Sequence, residues 1–326
     1  MASSGFRSVQ PESLRIGTRG SPLARWQAEW VAGQLRSLHP GLHVALVEIK
    51  TRGDRDRNTP LAQIGGLGLF TKEIQRALLD GTVDLAVHSL KDLPTQGPEG
   101  LILAAVPPRE ELADALISPR FQTLDALPDG ATVGTGSLRR QAQLLHLRPG
   151  LRMVGLRGNV ETRLNQALDG TLDAVVLAEA GLIRLGREDA VTERLAPPRF
   201  LPAVGQGALG IECRADDQAT RALLDPMNHS PTRRAVLAER RALAELEGGC
   251  MIPLGAWGRD LDADTLALDV AVYSTDGQRR VFATSSGPTD QPEALGLEVA
   301  SILRSLGAEA ILSERERADR SDDLET

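Results

Sequence analysis

Residues 79–87, LDGTVDLAV, and residues 168–176, LDGTLDAVV, are nearly the same phrase written twice. In each, an Asp-Gly pair ends a helical pattern and a β-branched apolar run follows as a strand. A second pair lies upstream: IGTRGSPLARWQ from Ile16 and VGTGSLRRQ from Val133. Both read as a short apolar strand, Gly-Thr, and a serine that opens an amphipathic helix. Two copies of one grammar predict two similar α/β lobes rather than one large sheet.

The punctuation between the copies sets the domain plan. VPPRE at 106–110 and APPRF at 196–200 are proline pairs that end regular structure after each lobe. The chain is expected to cross out of the first lobe, build the second, and return through LPAVGQGALGIEC. That places lobe 1 at residues 14–107 plus 203–226 and lobe 2 at 108–202, around a cleft able to close by hinge motion. Beyond residue 226 the pattern changes to a helix from Thr232 to about Leu246, strand-like LALDVAVYS and RRVFATSS, and a helix near Glu293 to Leu306. This predicts a smaller C-terminal α/β domain over 227–312. Residues 1–13 and 313–326 read as disordered tails.

Composition narrows the class. The 326 residues are 41% hydrophobic and 25% charged, as in a globular protein. No apolar run approaches the roughly 18 residues of a membrane span, and residues 1–13 lack a signal-peptide core. With two cysteines and no export signal, a cytoplasmic location is expected. Net charge is −7 and aromatics make up 3%, which argues against nucleic acid as a partner. Charge is nevertheless uneven. Arg139, Arg140, Arg148, Arg152, Arg157 and Arg163 fall between Gly130 and Asn165 against a single acid, Glu161. Such a field suits a small polyanion or a solvated face.

Arg139 and Arg140 occupy the first turn of the helix begun by Ser137, where a cation is disfavoured by roughly 0.3–1 kcal/mol. A bound anion at that helix start would supply the missing negative charge. Arg19 and Arg25 flank Ser21 in the same way, and Arg157 and Arg163 bracket the helix cap Asn159. Arginine forks grip carboxylates in pairs. Phosphate is the less favoured alternative, because no Gly-x-x-x-x-Gly-Lys-Ser/Thr loop is present. In AVHSLKDLP (86–94), Lys91 and Asp92 stand at a strand end, where α/β sheets face their ligand crevice. An ordinary surface ion pair is the competing reading, and His88 is assigned a lining role only. Five histidines without paired spacing predict no metal site. Cys213, in LGIECRAD, reads as core; Cys250, after Gly248-Gly249 and before Met-Ile-Pro, reads as a thiol on a loop. A disulfide between the two is the alternative, disfavoured in a reducing compartment.

Taken together, IGTRGSPLARWQA, TRGD, GLFTKE, DLAVHSLKDLP, VGTGSLRRQ, LRGNVETRL, LPAVGQGALGIECR and LEGGCMIPLGA resemble the porphobilinogen deaminase (hydroxymethylbilane synthase) family in order and over nearly the whole chain. The resemblance implies two lobes like those of periplasmic binding proteins plus a third α/β domain. It implies a transferase of tetrapyrrole (heme) biosynthesis that joins four porphobilinogen molecules head to tail, releases ammonia, and hydrolyses off hydroxymethylbilane. It implies a dipyrromethane cofactor on a thioether to Cys250, with Asp92 as the catalytic carboxylate. Arg19, Lys91, Arg139, Arg140, Arg157, Arg163 and Arg184 match positions that bind carboxylates of substrate or cofactor. Ser21, Ser89, Thr135, Ser137 and Gln206 match lining positions, and Asp54 a secondary contact. A monomer is implied, with no membrane partner. Three positions depart from the pattern. Leu67 stands for a common lysine in the 52–68 loop, Gly136 for a common serine, and Ala113 for an arginine before the DAL aspartate.

Two rivals remain on the sequence. A non-catalytic two-lobed anion-binding protein explains the lobes and arginines but leaves Cys250 and Asp92 without a purpose. A transferase with pyridoxal phosphate on Lys91 or Lys72 would need a phosphate cup and a pyridinium partner, and neither is visible.

Overall fold

Strand β1 (Ser13–Thr18) begins an alternation of strands and helices in a computed structural model that describes residues 11–51, 53, 68, 71–246 and 252–314. It is followed by α1 (Pro22–Leu38), β2 (His43–Glu48), α2 (Lys72–Leu79), β3 (Leu85–Ser89), a 3-10 turn (Leu90–Asp92) and β4 (Leu101–Ala105). The second lobe holds β5 (Asp114–Ile117), β6 (Thr132–Gly134), α3 (Leu138–Leu147), β7 (Arg152–Val154), α4 (Val160–Leu168), β8 (Ala174–Ala178), α5 (Glu179–Arg184) and β9 (Glu193–Leu195). The chain then returns as β10 (Leu209–Arg214) and α6 (Gln218–Leu224). The C-terminal unit is α7 (Ser230–Glu245), β11 (Leu254–Asp260), β12 (Thr265–Tyr273), β13 (Arg280–Pro288) and α8 (Pro292–Ser305).

The repeated phrase corresponds to a repeated sheet. One sheet has the order β2-β1-β3-β10-β4 and the other β7-β6-β8-β5-β9. In each, four strands run parallel and one runs antiparallel between the third and the edge strand, β10 in the first and β5 in the second, and that strand belongs to a crossing between lobes. Strands β3 and β8 are buried except at their last residue, as expected where both faces of a sheet are covered. Leu14, Ile16, Val31, Leu35, Leu85 and Ile211 fill one face of the first sheet; Ile74, Leu78, Val83 and Ala86 fill the other. The third sheet, β11-β12-β13, is antiparallel and packs on α7 and α8 through Leu254, Leu268, Val270, Leu295 and Val299. The fold is thus α/β, with two similar lobes and a smaller C-terminal unit.

The ends of ordered structure differ slightly from the expectation. Ser13 already pairs with His43, and Ser313 and Glu314 are still helical. Both ends meet residues distant in sequence, Ser13 on His43 and Glu314 on Arg279. Among the described residues no helix is long and apolar enough to cross a membrane.

The two crossings run side by side and are stitched together. Arg109 Nε donates to the Gln206 carbonyl at 2.5 Å, and the Glu110 N–H donates to the Gly207 carbonyl at 3.1 Å. Gly207 has φ +83°, and a Cβ there would lie 2.5 Å from the Glu110 oxygen, so only glycine permits the approach. Helix α7 locks this junction. Glu239, fully buried, accepts from Arg109 Nη1 at 2.7 Å, Gly205 N at 2.7 Å and Gly258 N at 2.9 Å. One carboxylate therefore holds both crossings and β11.

Candidate active site

Loops at the ends of β1, β3, β6 and β8 bring most of the singled-out residues into the cleft between the lobes. From lobe 1, Ser21 caps α1 by accepting the Ala24 N–H at 3.3 Å, with Arg19 just ahead of it. Ser89 ends β3 and accepts a hydrogen bond from the buried Gln27 at 2.9 Å. The 3-10 turn follows at once, so Lys91 and Asp92 project from it in different directions. Asp92 lines a recess under α1 with Arg19, Ser21, Gln27, Ser89, Thr71 and His88. Lys91 lines a second recess with Ser137, Arg139, Val204, Arg240, Leu243 and Ile252. The turn is the partition between the two.

Lobe 2 supplies the cations. Ser137 caps α3, and Asn159 caps α4 by accepting the Thr162 N–H at 2.8 Å. Thr135 is buried, its hydroxyl accepting the Ser137 N–H at 3.2 Å. Arg163 reaches back to donate to the Gly158 carbonyl at 2.9 Å. Burial holds its pKa below the usual value, as do the charges of Arg140 and Arg157, while Asp92 across the cleft opposes the shift. Lys91 is brought down to about 8, first by burial and then by the charge of Arg140; Asp92 and Asp114 pull the other way. These mutual influences place Lys91 and Asp92 of lobe 1 within electrostatic reach of the lobe 2 arginines. Arg184 is only 7% exposed, donates to the Gly207 carbonyl at 2.7 Å and lies 5.9 Å above the Trp26 ring. Burial lowers its pKa to about 10. It joins lobe 2 to the return crossing and to α1.

The arginines in the first turn of α3 do not await a bound anion to supply the nearest negative charge, because the protein already provides one. Asp114, the fully buried first residue of β5, lies 2.7 Å from Arg139 Nη1 and 2.7 Å from Arg140 Nη2. Burial alone would raise its pKa, but the two guanidinium groups carry it down to about 2. Arg139 also donates to the Leu201 carbonyl at 2.6 Å, and Arg140 to that of Val176 at 3.1 Å. Gln206 completes the cage, donating to Asp114 at 2.9 Å while its carbonyl takes a 3.5 Å contact from Lys91. Arg139 Nε remains buried without a hydrogen-bond partner. Sequence reasoning missed Asp114, although an acid inside the apolar run ADALIS was a usable signal, since a buried carboxylate demands a partner. It also missed Gln27, Thr71, Glu239 and Arg240, which resemble ordinary helix-surface residues.

Other members of the arginine field have structural uses. Arg148 donates to the carbonyls of Leu124, Asp125 and Leu127, tying down a loop, and Arg152 is exposed on edge strand β7. Cys213 is a free, fully buried thiol on β10, raised to about 11 chiefly by burial. It is chemically quiet. His88 is buried with its Nε2 3.0 Å from Glu212. Gly136 has a geometric reason: a Cβ there would meet the Leu156 carbonyl oxygen at 2.5 Å. Among the described residues no group of His, Cys, Asp and Glu could hold a metal ion. Asp54, Leu67 and Cys250 lie outside the described residues.

The fold and the cation-rich cleft define a two-lobed α/β protein with a third, smaller unit. The chain belongs to the porphobilinogen deaminase family. Residues 14–222 match the family model "Porphobilinogen deaminase, dipyromethane cofactor binding domain", and residues 233–305 match "Porphobilinogen deaminase, C-terminal domain". The chain is 53% identical over 306 residues to the porphobilinogen deaminase of Geobacter metallireducens, covering 94% of this chain and 96% of that one. It is 52% identical over 302 residues to that of Nitratidesulfovibrio vulgaris, covering 92% and 96%. Among solved structures, a methionine binding protein is similar over 66% of this chain and 89% of its own, at 15% identity and a TM-score of 0.44.

Proposed function

We propose that this chain is a hydroxymethylbilane synthase that joins four porphobilinogen molecules head to tail on a dipyrromethane primer attached to Cys250. The observation that carries the residue assignment is the partition at the 3-10 turn, with Asp92 on one side and Lys91 on the other. The Lys91 recess reaches Ile252, two residues beyond Cys250, and suits the primer; the Asp92 recess, with Arg19 and Ser21, suits the incoming pyrrole.

The residues present fit such a primer. Arg139 and Arg140 share one buried carboxylate, Asp114, and Arg139 Nε is buried without a hydrogen-bond partner. Added carboxylates would relieve that excess of positive charge. Dipyrromethane, when bound, supplies the nucleophilic pyrrole carbon to which the first ring is joined. Lys91, Ser137 and Arg139 are the residues that would hold it.

The protein's own groups then act on porphobilinogen. Arg19, Arg157, Arg163 and Arg184 bind or frame its acetate and propionate, with Ser21 and Ser89 lining. The aminomethyl nitrogen leaves as ammonia after protonation, and the substrate becomes a cationic methylene-pyrrolenine. Asp92 stabilises that cation from a recess shielded by α1. A carbon–carbon bond forms at the methylene, and the attacked pyrrole carbon loses a proton, which Asp92 can accept. Four repetitions and one hydrolysis complete the product. Asp54 is retained in this scheme as a secondary contact.

The reading divides the work among residues 14–107 with 203–226, residues 108–202, and residues 227–312. It takes the working form to be a monomer in the cytoplasm. Intact mass of the purified protein tests the covalent part. The expected mass exceeds the sequence mass by two linked pyrrole units, and Cys250→Ser should remove that excess while Cys213→Ser keeps it. An unmodified protein that binds porphobilinogen but releases no ammonia would favour the binding-protein alternative.

A further inference from the structure

The catalytic turn is too short to hold itself in place. Residues Leu90–Asp92 make one 3-10 turn, closed by the Leu93 N–H on the Leu90 carbonyl at 3.1 Å, and Ser89 provides no side-chain cap. The upstream side is fixed from within lobe 1: the Leu90 N–H donates to the Ala208 carbonyl at 3.0 Å, and Leu90 packs on Gly205 and Gly210. On the downstream side the carbonyls of Leu93 and Pro94 take no backbone N–H from any described residue. They are met by a single side chain from another domain. Arg240 of α7 donates from Nη1 to Leu93 at 2.9 Å and from Nη2 to Pro94 at 2.6 Å.

Arg240 is itself well placed to transmit position. Its neighbour Glu239 is the carboxylate that holds both crossings and β11, so this turn of α7 is itself anchored. Arg240 is also ten residues before Cys250 in the sequence, in the last turns of α7. We propose that Arg240 is a positioning residue: its fork fixes the height of Asp92 relative to the domain that carries the primer. The inference rests on the assignment of Asp92 and Cys250 above. Both peptide oxygens lie within two residues of Asp92, and a guanidinium is the one side chain able to span them with parallel N–H groups. Loss of the fork frees the turn to shift by a fraction of an ångström, and misplacement by about 1 Å costs on the order of 10²-fold in rate.

The test follows the rate of each ring addition by quenching and intact-mass measurement of the primer-loaded enzyme. Arg240→Ala is expected to keep its primer and a KM within about threefold of wild type, while kcat falls on the order of 10²-fold, slowed equally at all four additions. Arg240→Lys, which keeps the charge but not the fork, is expected to recover about tenfold of that loss, a factor equivalent to 1.4 kcal/mol. Primer-loaded Arg240→Ala with wild-type step rates overturns the proposal. Slowing confined to one chain length also overturns it, because Arg240 would then contact the growing chain. If Arg240→Ala does not fold, Arg240→Lys decides on the same criteria. A wild-type protein without primer or ammonia release would instead reject the underlying functional assignment.

Discussion

Strand pairing gives the two lobes a position-by-position correspondence, and the cleft is built from the places where they differ. Ser89, the last residue of β3, faces Leu209 on β10; Ala178, the last residue of β8, faces Asp114 on β5. Lobe 1 therefore carries a leucine where lobe 2 carries a buried acid. The acid lets lobe 2 hold Arg139 and Arg140 rigidly at the start of α3, each less than a tenth exposed. Past the paired strands, lobe 1 makes the 3-10 turn bearing Lys91 and Asp92, whereas lobe 2 continues into α5 with Glu179 and Arg184. Glu179 is neutralised by Arg194 at 2.8 Å, while Asp92 is turned to the recess under α1. One sheet plan thus carries two arrangements: lobe 1 turns a carboxylate to the cleft, and lobe 2 fixes a bank of cations around Asp114.

The largest expected effect breaks the comparison at its carboxylates. Asp92→Asn should lower kcat about 10²–10⁴-fold, the range of a lost acid–base and charge-stabilising group, whereas Glu179→Gln should leave kcat within a few-fold. Steady-state ammonia release measures both, and equal losses would erase the distinction between the lobes. Next comes the buried acid. Asp114→Asn leaves two guanidinium groups in the interior without their counter-charge, and denaturant titration should show a loss of about 3–5 kcal/mol. Because the Asp114 pKa is depressed in the folded protein, its contribution is present above the ordinary carboxylate range and disappears only as pH falls toward about 2. A stability curve still flat at that pH would contradict the pairing.

Smaller effects sharpen the picture. Gly136→Ser forces a side chain against the Leu156 carbonyl, so melting should report a loss of about 1–3 kcal/mol despite the small size of the added group. Smaller still is a pH effect at Lys91. With its pKa lowered to about 8, half of this lysine is neutral near that pH. A bound carboxylate favours the ammonium form and raises the pKa, so binding takes up protons. Calorimetry of free dipyrromethane binding to the primer-free Cys250→Ser protein, run at pH 8 in buffers of different ionisation enthalpy, should therefore show net uptake. Affinity should weaken as pH rises further. Lys91→Met should abolish both dependences.

Much of this was readable from the chain itself. The doubled LDGT phrase announced two lobes, Ser21, Ser137 and Asn159 were visible as caps, and the GALGIEC return was placed back in lobe 1 because an apolar strand after a glycine-rich crossing needs a sheet to join. Asp114, Glu239 and Arg240 were hidden for one physical reason. Their meaning depends on partners 26, 130 and 147 residues away in sequence, and no local periodicity encodes such separations. Arg139 and Arg140 show the same limit. A cation at a helix start calls for an anion, but periodicity cannot say whether the protein or a ligand supplies it.

The division of labour between the lobes is tested most directly by mass-resolved single turnovers of primer-loaded Asp92→Asn and Arg139→Gln, counting rings added with time. The lobe 1 variant should be slow at every addition by a similar factor, and the lobe 2 variant should pause at a particular chain length after near-normal earlier steps. Identical profiles for the two variants would contradict the account.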